Sequence, residues 1–317
     1  MTTEHDLDWF YPLSEYKFEW MNCEVEIYQQ NRAHYIHDIV NVHGIVNVPI
    51  FWNGDIYMVD RPDRSSSEME EKLLKYSTSN NSWSKVLIPF VGSHVLTTYH
   101  SKILLIGRGE VFEFDASESI FKESTSIGLL PSGTGEVMSA ASEGDYLLVI
   151  CKRWHKTVAF IFDGEHWMVH DGPCLPPGSY LQVVIHGRTV FLAEWLHMSI
   201  VNLHKLSLQS LLGDKVHAWQ ALRSTLPISH AVTSNLMSLG NHLCMVSCDS
   251  KGYNIHVWCY SLNYESWLEL ENADICDLLS QRHFLFLSHI LIVGLPDGIL
   301  MMISKESMES YLSLIHI

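Results

Sequence analysis

Cationic and large aromatic side chains recur just past short apolar runs of this sequence: Arg61 and Arg64, Arg108, the set Lys152, Arg153, Trp154 and His155, then Trp195 and His197, and Lys251 with Tyr253. Guanidinium and ammonium groups make charge-assisted hydrogen bonds to carboxylates, and Arg and aromatic side chains are the usual anchors of protein interfaces. The chemistry this combination suggests is non-covalent recognition of an acidic peptide or protein surface. The cations stand out because the 317-residue chain carries 36 Asp and Glu against 20 Lys and Arg, a formal charge of −16. A field of that sign repels polyanions, so neither nucleic acid nor an anionic membrane surface is expected as a partner.

Residues with catalytic potential are present without a catalytic pattern. Nineteen histidines are spread over turns and strand ends with no His-Glu-x-x-His, and seven cysteines (Cys23, Cys151, Cys174, Cys244, Cys248, Cys259, Cys276) show no repeated short spacing. They read as buried thiols of a reduced compartment, and no metal or cofactor is expected. A Gly-x-Ser-x-Gly elbow is absent. Pro131-Ser132-Gly133-Thr134-Gly135 lacks the Lys-Ser/Thr of a phosphate cradle and reads as a loop. A sialidase-type arginine cluster would need Arg108, Arg153 and Arg188 together, but Arg188 falls in a hairpin turn at the opposite end of its unit.

The elements that must position these residues form a repeat. A small polar turn followed by an apolar run recurs six times, the runs starting at Ile56, Ile103, Tyr146, Val190, Leu243 and Ile290, spaced by 47, 43, 44, 53 and 47 residues. That period is four short strands with their turns. An apolar stretch precedes each run at hairpin distance, as in Val137 to Ala141 and Leu181 to Ile185. A second signal follows: Tyr76 before Trp83, Phe114 before Phe121, Phe162 before Trp167 and Tyr260 before Trp267, each an aromatic, a polar turn and a large aromatic. Trp219 closes the fourth unit after an insertion, Leu206 to Val216, that reads as a short helix. Uninterrupted apolar runs mean strands buried on both faces, so every sheet needs a neighbour on each side. Six sheets arranged radially satisfy all of them. The expectation is an all-β, six-bladed propeller of four-stranded antiparallel blades.

The order of hairpin, aromatic, turn, tryptophan and proline resembles the kelch repeat from about Gly44 to Ser304, and segments such as Phe162 to Trp167 are similar to kelch regions of invertebrate, sponge-like multidomain proteins. The Gly-Gly doublet of kelch blades is missing here, and only Gly107 and Gly294 stand at its place. The resemblance implies a galactose-oxidase-like, six-bladed kelch-type ring in which the connections between second and third strands open on one face. Arg61, Arg64, Arg108, Lys152, Arg153, Trp154, His155, Trp195, His197, Lys251 and Tyr253 would then share one rim and bind a protein or peptide with an acidic surface. It also implies the alternatives to a scaffold or recognition module. One is the substrate-recognition subunit of a ubiquitin ligase, although residues 1–40 carry no F-box or BTB pattern. The other is a copper-radical oxidase, which would need two Tyr, one Cys and two His converging on the axis.

The domain reading divides the chain into an N-terminal segment, 1–40, whose Tyr16 to Met21 has the alternation of an edge strand able to close the ring, and a propeller over 41–311. The blades are placed near 41–91, 92–134, 135–178, 179–228, 229–275 and 276–311. Leu312 to Ile317 resembles the translation of a sequencing-library adapter and is set apart as a scar, which leaves room for further domains of a larger protein. The start is acidic and carries no secretory signal, and the apolar stretch His283 to Ile303 is interrupted by Gly294, Pro296 and Asp297. A cytoplasmic, non-enzymatic protein is the expectation.

Overall fold

The computed structural model describes residues 18–22, 50–60, 72–77, 79, 82–88, 94–107, 109–153, 156–174, 179–196, 200–213, 218–222, 226–227, 231–239, 242–249, 255–261, 264–269, 290–294, 300–304 and 310–315. All but one of its regular elements are strands, and every paired strand is antiparallel. The first sheet comprises β2 (Ile50–Trp52), β3 (Asp55–Asp60), β4 (Lys72–Ser77) and β5 (Ser82–Leu87), in chain order. The second runs β6 (His94–Tyr99), β7 (Lys102–Gly107), β8 (Glu110–Asp115), β9 (Ile120–Glu123). The third runs β10 (Glu136–Glu143), β11 (Tyr146–Arg153), β12 (Lys156–Phe162), β13 (Trp167–Asp171). In the fourth, β14 (Tyr180–His186), β15 (Thr189–Leu196) and β16 (Ile200–Ser207) are followed by a short helix α1 (Leu208–Leu212) and two brief strands, β17 (Gln220–Ala221) and β18 (Leu226–Pro227), both paired with β16. That sheet has five strands where the repeat predicts four, because its outer edge is built in two pieces, β17 against Lys205 and His204 and β18 against Val201 and Ile200. The fifth sheet is β19 (Ala231–Leu239), β20 (His242–Asp249), β21 (Ile255–Ser261), β22 (Ser266–Glu269).

A further sheet joins distant parts of the chain: β23 (Ile290–Gly294), β24 (Leu300–Ser304) and β25 (Ser310–Ile315) are followed in space by β1 (Phe18–Asn22). Phe18 faces Ile315 and Asn22 faces Tyr311 in the register of β1 on β25. Leu312–Ile315, set apart in the sequence reading, thus takes part in a strand. By the period of the repeat β23 is a second strand; the first-strand position before it lies outside the described residues. The inner strands β2, β6, β10, β14 and β19 touch in succession, and β23 touches both β19 and β2. The contacts close on themselves, and the fold is a β-propeller.

Consecutive apolar residues serve two interfaces at once, because side chains alternate across a strand. Along β7, Ile103 and Leu105 face the core shared with the first sheet, while Leu104 and Ile106 face the third; all four are fully buried. Along β11, Leu147 and Val149 point back and Leu148 and Ile150 point forward. Val190 and Leu192 of β15 do the same against Phe191 and Ala193. Each fully buried aliphatic side chain contributes roughly 1.5–3 kcal/mol, so the inter-sheet cores dominate the stability.

The aromatic signal of the repeat is a cross-strand pair on the outer hairpin. Phe114 faces Phe121, Phe162 faces Trp167 and Tyr260 faces Trp267 in register, with ring centroids 5.3, 5.2 and 5.0 Å apart. Such pairs tie the outermost strand to its neighbour. Two tryptophans also reach the preceding sheet: Trp167 Nε1 donates to the Ile127 carbonyl, in the loop after β9, at 3.3 Å, and Trp219 Nε1 to the carbonyl of Asp171, the last residue of β13, at 3.1 Å.

The first hairpins turn in two residues. Asn53-Gly54, His100-Ser101 and Gly187-Arg188 have both central φ values positive, which matches the right-handed twist of the flanking strands. Among the described residues no helix is long and apolar enough to cross a membrane.

Candidate binding rim

The described part of the rim is the end of the β11–β12 hairpin. β11 continues through Arg153, which pairs with Lys156, so the connection is two residues long. This corrects the expectation that Lys152 and Arg153 lie in the connection itself: both are strand residues, because pairing continues to the last position a two-residue turn allows. Trp195 is likewise within β15, opposite Tyr180 and Val201, and not in a loop. Lys152 is half-buried; Arg153 and Lys156 are exposed.

A neighbouring loop supports these cations. Pro131-Ser132-Gly133-Thr134-Gly135 lies against the end of β11: a Cβ on Gly133 would sit 3.1 Å from Arg153 Nη2, and one on Gly135 would sit 2.4 Å from the Lys152 carbonyl oxygen. Gly135 also has φ +78°. Only glycine allows both the conformation and the approach. The small-residue stretch therefore forms the floor beneath Arg153, a role its sequence does signal through two glycines spaced by one residue.

Four lysines elsewhere in the molecule are ion-paired. Lys75 is paired with Asp55 at 2.8 Å, Lys102 with Glu113 at 2.6 Å, Lys122 with Asp115 at 2.7 Å and Lys205 with Glu265 at 2.6 Å. Lys152 stands opposite Glu136 in backbone register. Yet among the described residues Lys152, Arg153 and Lys156 have no ion-pair partner.

At the same end of the next sheet lies a carboxylate that sequence reasoning missed. Glu194 is 2% exposed, and Ser179 Oγ donates to its Oε1 at 2.7 Å. Asn202 Nδ2 donates to Oε2 at 3.3 Å, and His204 Nε2 approaches the same oxygen at 3.4 Å. Burial opposes its charge, but the hydrogen bonds from His204, Ser179 and Asn202 outweigh burial and hold the carboxyl below its ordinary value. A single Glu ending an apolar run gives no sequence signal of burial. Its partners fasten Ser179, at the entry to β14, to the second and third strands of that sheet.

Of the remaining predicted rim residues, Arg61, Arg64, Arg108, Trp154, His155, His197, Lys251 and Tyr253 lie outside the described residues, as does the side chain of Trp195. Arg188 sits in the β14–β15 turn and is exposed. The structure thus brings Lys152, Arg153 and Lys156 together at one hairpin end.

The axis offers a second concavity, a cavity of about 80 Å³ lined by residues including Leu96, Thr97, Ser139, Gln182, Val183 and Leu236. Two of its polar side chains, Gln182 and Ser139, are engaged with backbone. Gln182 Nε2 donates to the Leu236 carbonyl at 2.7 Å while its Oε1 accepts from Leu236 N at 2.8 Å, and Ser139 Oγ accepts from Val183 N at 3.0 Å. Among the described residues, no three His, Cys, Asp or Glu side chains converge as metal ligands would.

No protein-family model matches the chain, and no curated protein does. Solved structures similar to it include a nidogen/laminin complex, at 11% identity and a TM-score of 0.48, covering 72% of this chain and 80% of that one. A mutant Aleuria aurantia lectin in complex with Fucα1-6GlcNAc is similar at 12% identity and a TM-score of 0.49, covering 84% and 89%. AofleA from Arthrobotrys oligospora follows at 12% identity and a TM-score of 0.44, covering 72% and 73%.

Proposed function

We propose that this chain is a non-enzymatic recognition module, a six-bladed kelch-type propeller whose rim of second-to-third-strand connections binds an acidic segment of a partner protein in the cytoplasm. One observation carries the reading: Lys152, Arg153 and Lys156 cluster at a hairpin end without an acidic partner among the described residues, in a protein whose net charge is −16. Unpaired cations on a strand end keep their hydrogen-bonding capacity for a ligand carboxylate, and the Arg153 guanidinium lies close against Gly133. The composite sheet of β23, β24, β25 and β1 serves as the sixth blade. The kelch assignment is supported by the period and by the cross-strand aromatic pairs.

The test is capture from lysate by the immobilised protein and by an Arg153→Glu/Lys156→Glu version, with bound proteins identified by mass spectrometry. The reading requires a partner carrying an acidic segment, released by salt, and bound about tenfold less by the double reversal. Equal capture by both versions overturns it. Copper on elemental analysis, with turnover of an alcohol substrate, would replace it with the oxidase reading.

A further inference from the structure

Cys244 of β20 and Cys259 of β21 are directly opposed in antiparallel register, and their sulfurs are 3.2 Å apart. Both residues are buried. Leu243, Met245 and Tyr260 pack into the core shared with the fourth sheet, so alternation assigns Cys244 and Cys259 to the other face, on the side of the composite sheet that closes the ring. Cys151 and Cys174 are arranged differently. Cys151 is held alone in a core, where burial pushes its thiol up to about 12, and Cys174 is exposed.

We propose that Cys244 and Cys259 form a reversible redox site, closed by a peroxide into a cross-strand disulfide that staples the second and third strands of the fifth blade. Opposed residues on paired strands have the Cα separation a disulfide needs, and bonding requires the sulfurs to approach by only about 1 Å. Side-chain rotation within the same register supplies that movement.

At this separation either thiol can donate to the other; with Cys244 as the donor, the hydrogen bond lowers the pKa of Cys259, while that bond and burial raise Cys244, which makes Cys259 the attacking sulfur. Cys259 sulfur attacks one peroxide oxygen, the O–O bond breaks, and the hydroxide released takes up a proton to leave as water. The Cys259 sulfenic acid then meets Cys244: its sulfur gives up a proton and attacks the Cys259 sulfur, the S–O bond breaks and a second water leaves. Two thiols and one hydrogen peroxide become one disulfide and two waters, and a dithiol reductant reverses the change.

The experiment treats the full native chain with hydrogen peroxide, then unfolds it in the presence of an alkylating agent, digests it and reads the peptides by mass spectrometry. The expected product is a linked peptide pair containing Cys244 and Cys259, about 2 Da lighter than the two free-thiol peptides together and abolished by dithiothreitol. In Cys244→Ala, Cys259 is expected to remain a sulfenic acid trapped by dimedone. The exposed Cys174 reports that oxidant reached the protein. The site is refuted if Cys174 is oxidised while Cys244 and Cys259 still alkylate as free thiols in the wild-type chain, or if Cys244 is linked instead to Cys248.

Discussion

Around the axis, side chains at the seams between inner strands are spent on the neighbouring sheet. Gln182 clamps β14 to β19, Ser139 joins β10 to β14, Tyr99 Oη donates to the Asp145 carbonyl at 2.9 Å, and Trp52 Nε1 donates to the Ser101 carbonyl at 2.8 Å. Ser142 donates to the Thr98 carbonyl, Arg188 N donates to Glu143 Oε2 at 3.3 Å, and His186 shares a 2.7 Å hydrogen bond with Ser238. The rim at the β11–β12 end shows the reverse: Arg153 and Lys156 are exposed strand residues with no acidic partner among the described residues. Trp52, Tyr99, Glu143 and His186 each end an inner strand, and each bonds to the next sheet. The repeat therefore places polar side chains where they fasten adjacent sheets, whereas Arg153 and Lys156, at the opposite end of the third sheet, have no acidic partner among the described residues.

Four variants break or sharpen that contrast. Gln182→Ala has the largest expected effect, because it leaves both the N–H and the carbonyl of buried Leu236 without their partner; the loss is about 3 kcal/mol, read from the urea midpoint. A loss below about 1 kcal/mol would show that this seam is held by packing alone.

Glu194→Gln tests the buried anchor behind the rim. It is expected to cost about 1–2 kcal/mol at neutral pH. Because the folded Glu194 has a lowered pKa, its contribution is fully present above the ordinary value of 4.5 and is lost as pH falls through the folded value. The variant's stability should therefore decline less steeply than wild type when denaturation is followed downward from about pH 5. Parallel curves would remove Glu194 from the acid response.

Tyr99→Phe keeps the ring in its core and removes only the bond to Asp145, for an expected loss of about 1 kcal/mol, measurable by thermal denaturation. Arg153→Glu/Lys156→Glu should leave stability within about 0.5 kcal/mol of wild type while lowering partner capture. A marked fall in its melting temperature would mean that these cations support the fold, and the contrast between seam and rim would fail.

Much of the architecture is legible in the residues themselves. The apolar runs at Ile103 to Ile106 and Tyr146 to Ile150 form strands buried on both faces, and the Phe114/Phe121, Phe162/Trp167 and Tyr260/Trp267 spacings are cross-strand pairs. The local pattern suffices there because strand alternation and hairpin length depend on nearest neighbours. The extra outer strand of the fourth sheet was not legible: β17 and β18 are two residues each, too short for any periodicity. Nor was Glu194, whose burial depends on Ser179, fifteen residues earlier, and on the next strand. Among the cysteines, Cys244 and Cys248 are closest in sequence, whereas the sulfurs that meet belong to Cys244 and Cys259.

The sequence by itself determined the period, the strand-rich class, the two-sided burial and the net charge, since each follows from composition or from neighbours within one repeat. Only the tertiary structure decided which positions distant in sequence meet: that Gln182 reaches Leu236 in the next repeat, that Gly135 lies under the Lys152 carbonyl, and that Cys259 faces Cys244. Those contacts join positions brought together by strand register and ring closure, and register is set by the simultaneous packing of every sheet on its neighbours.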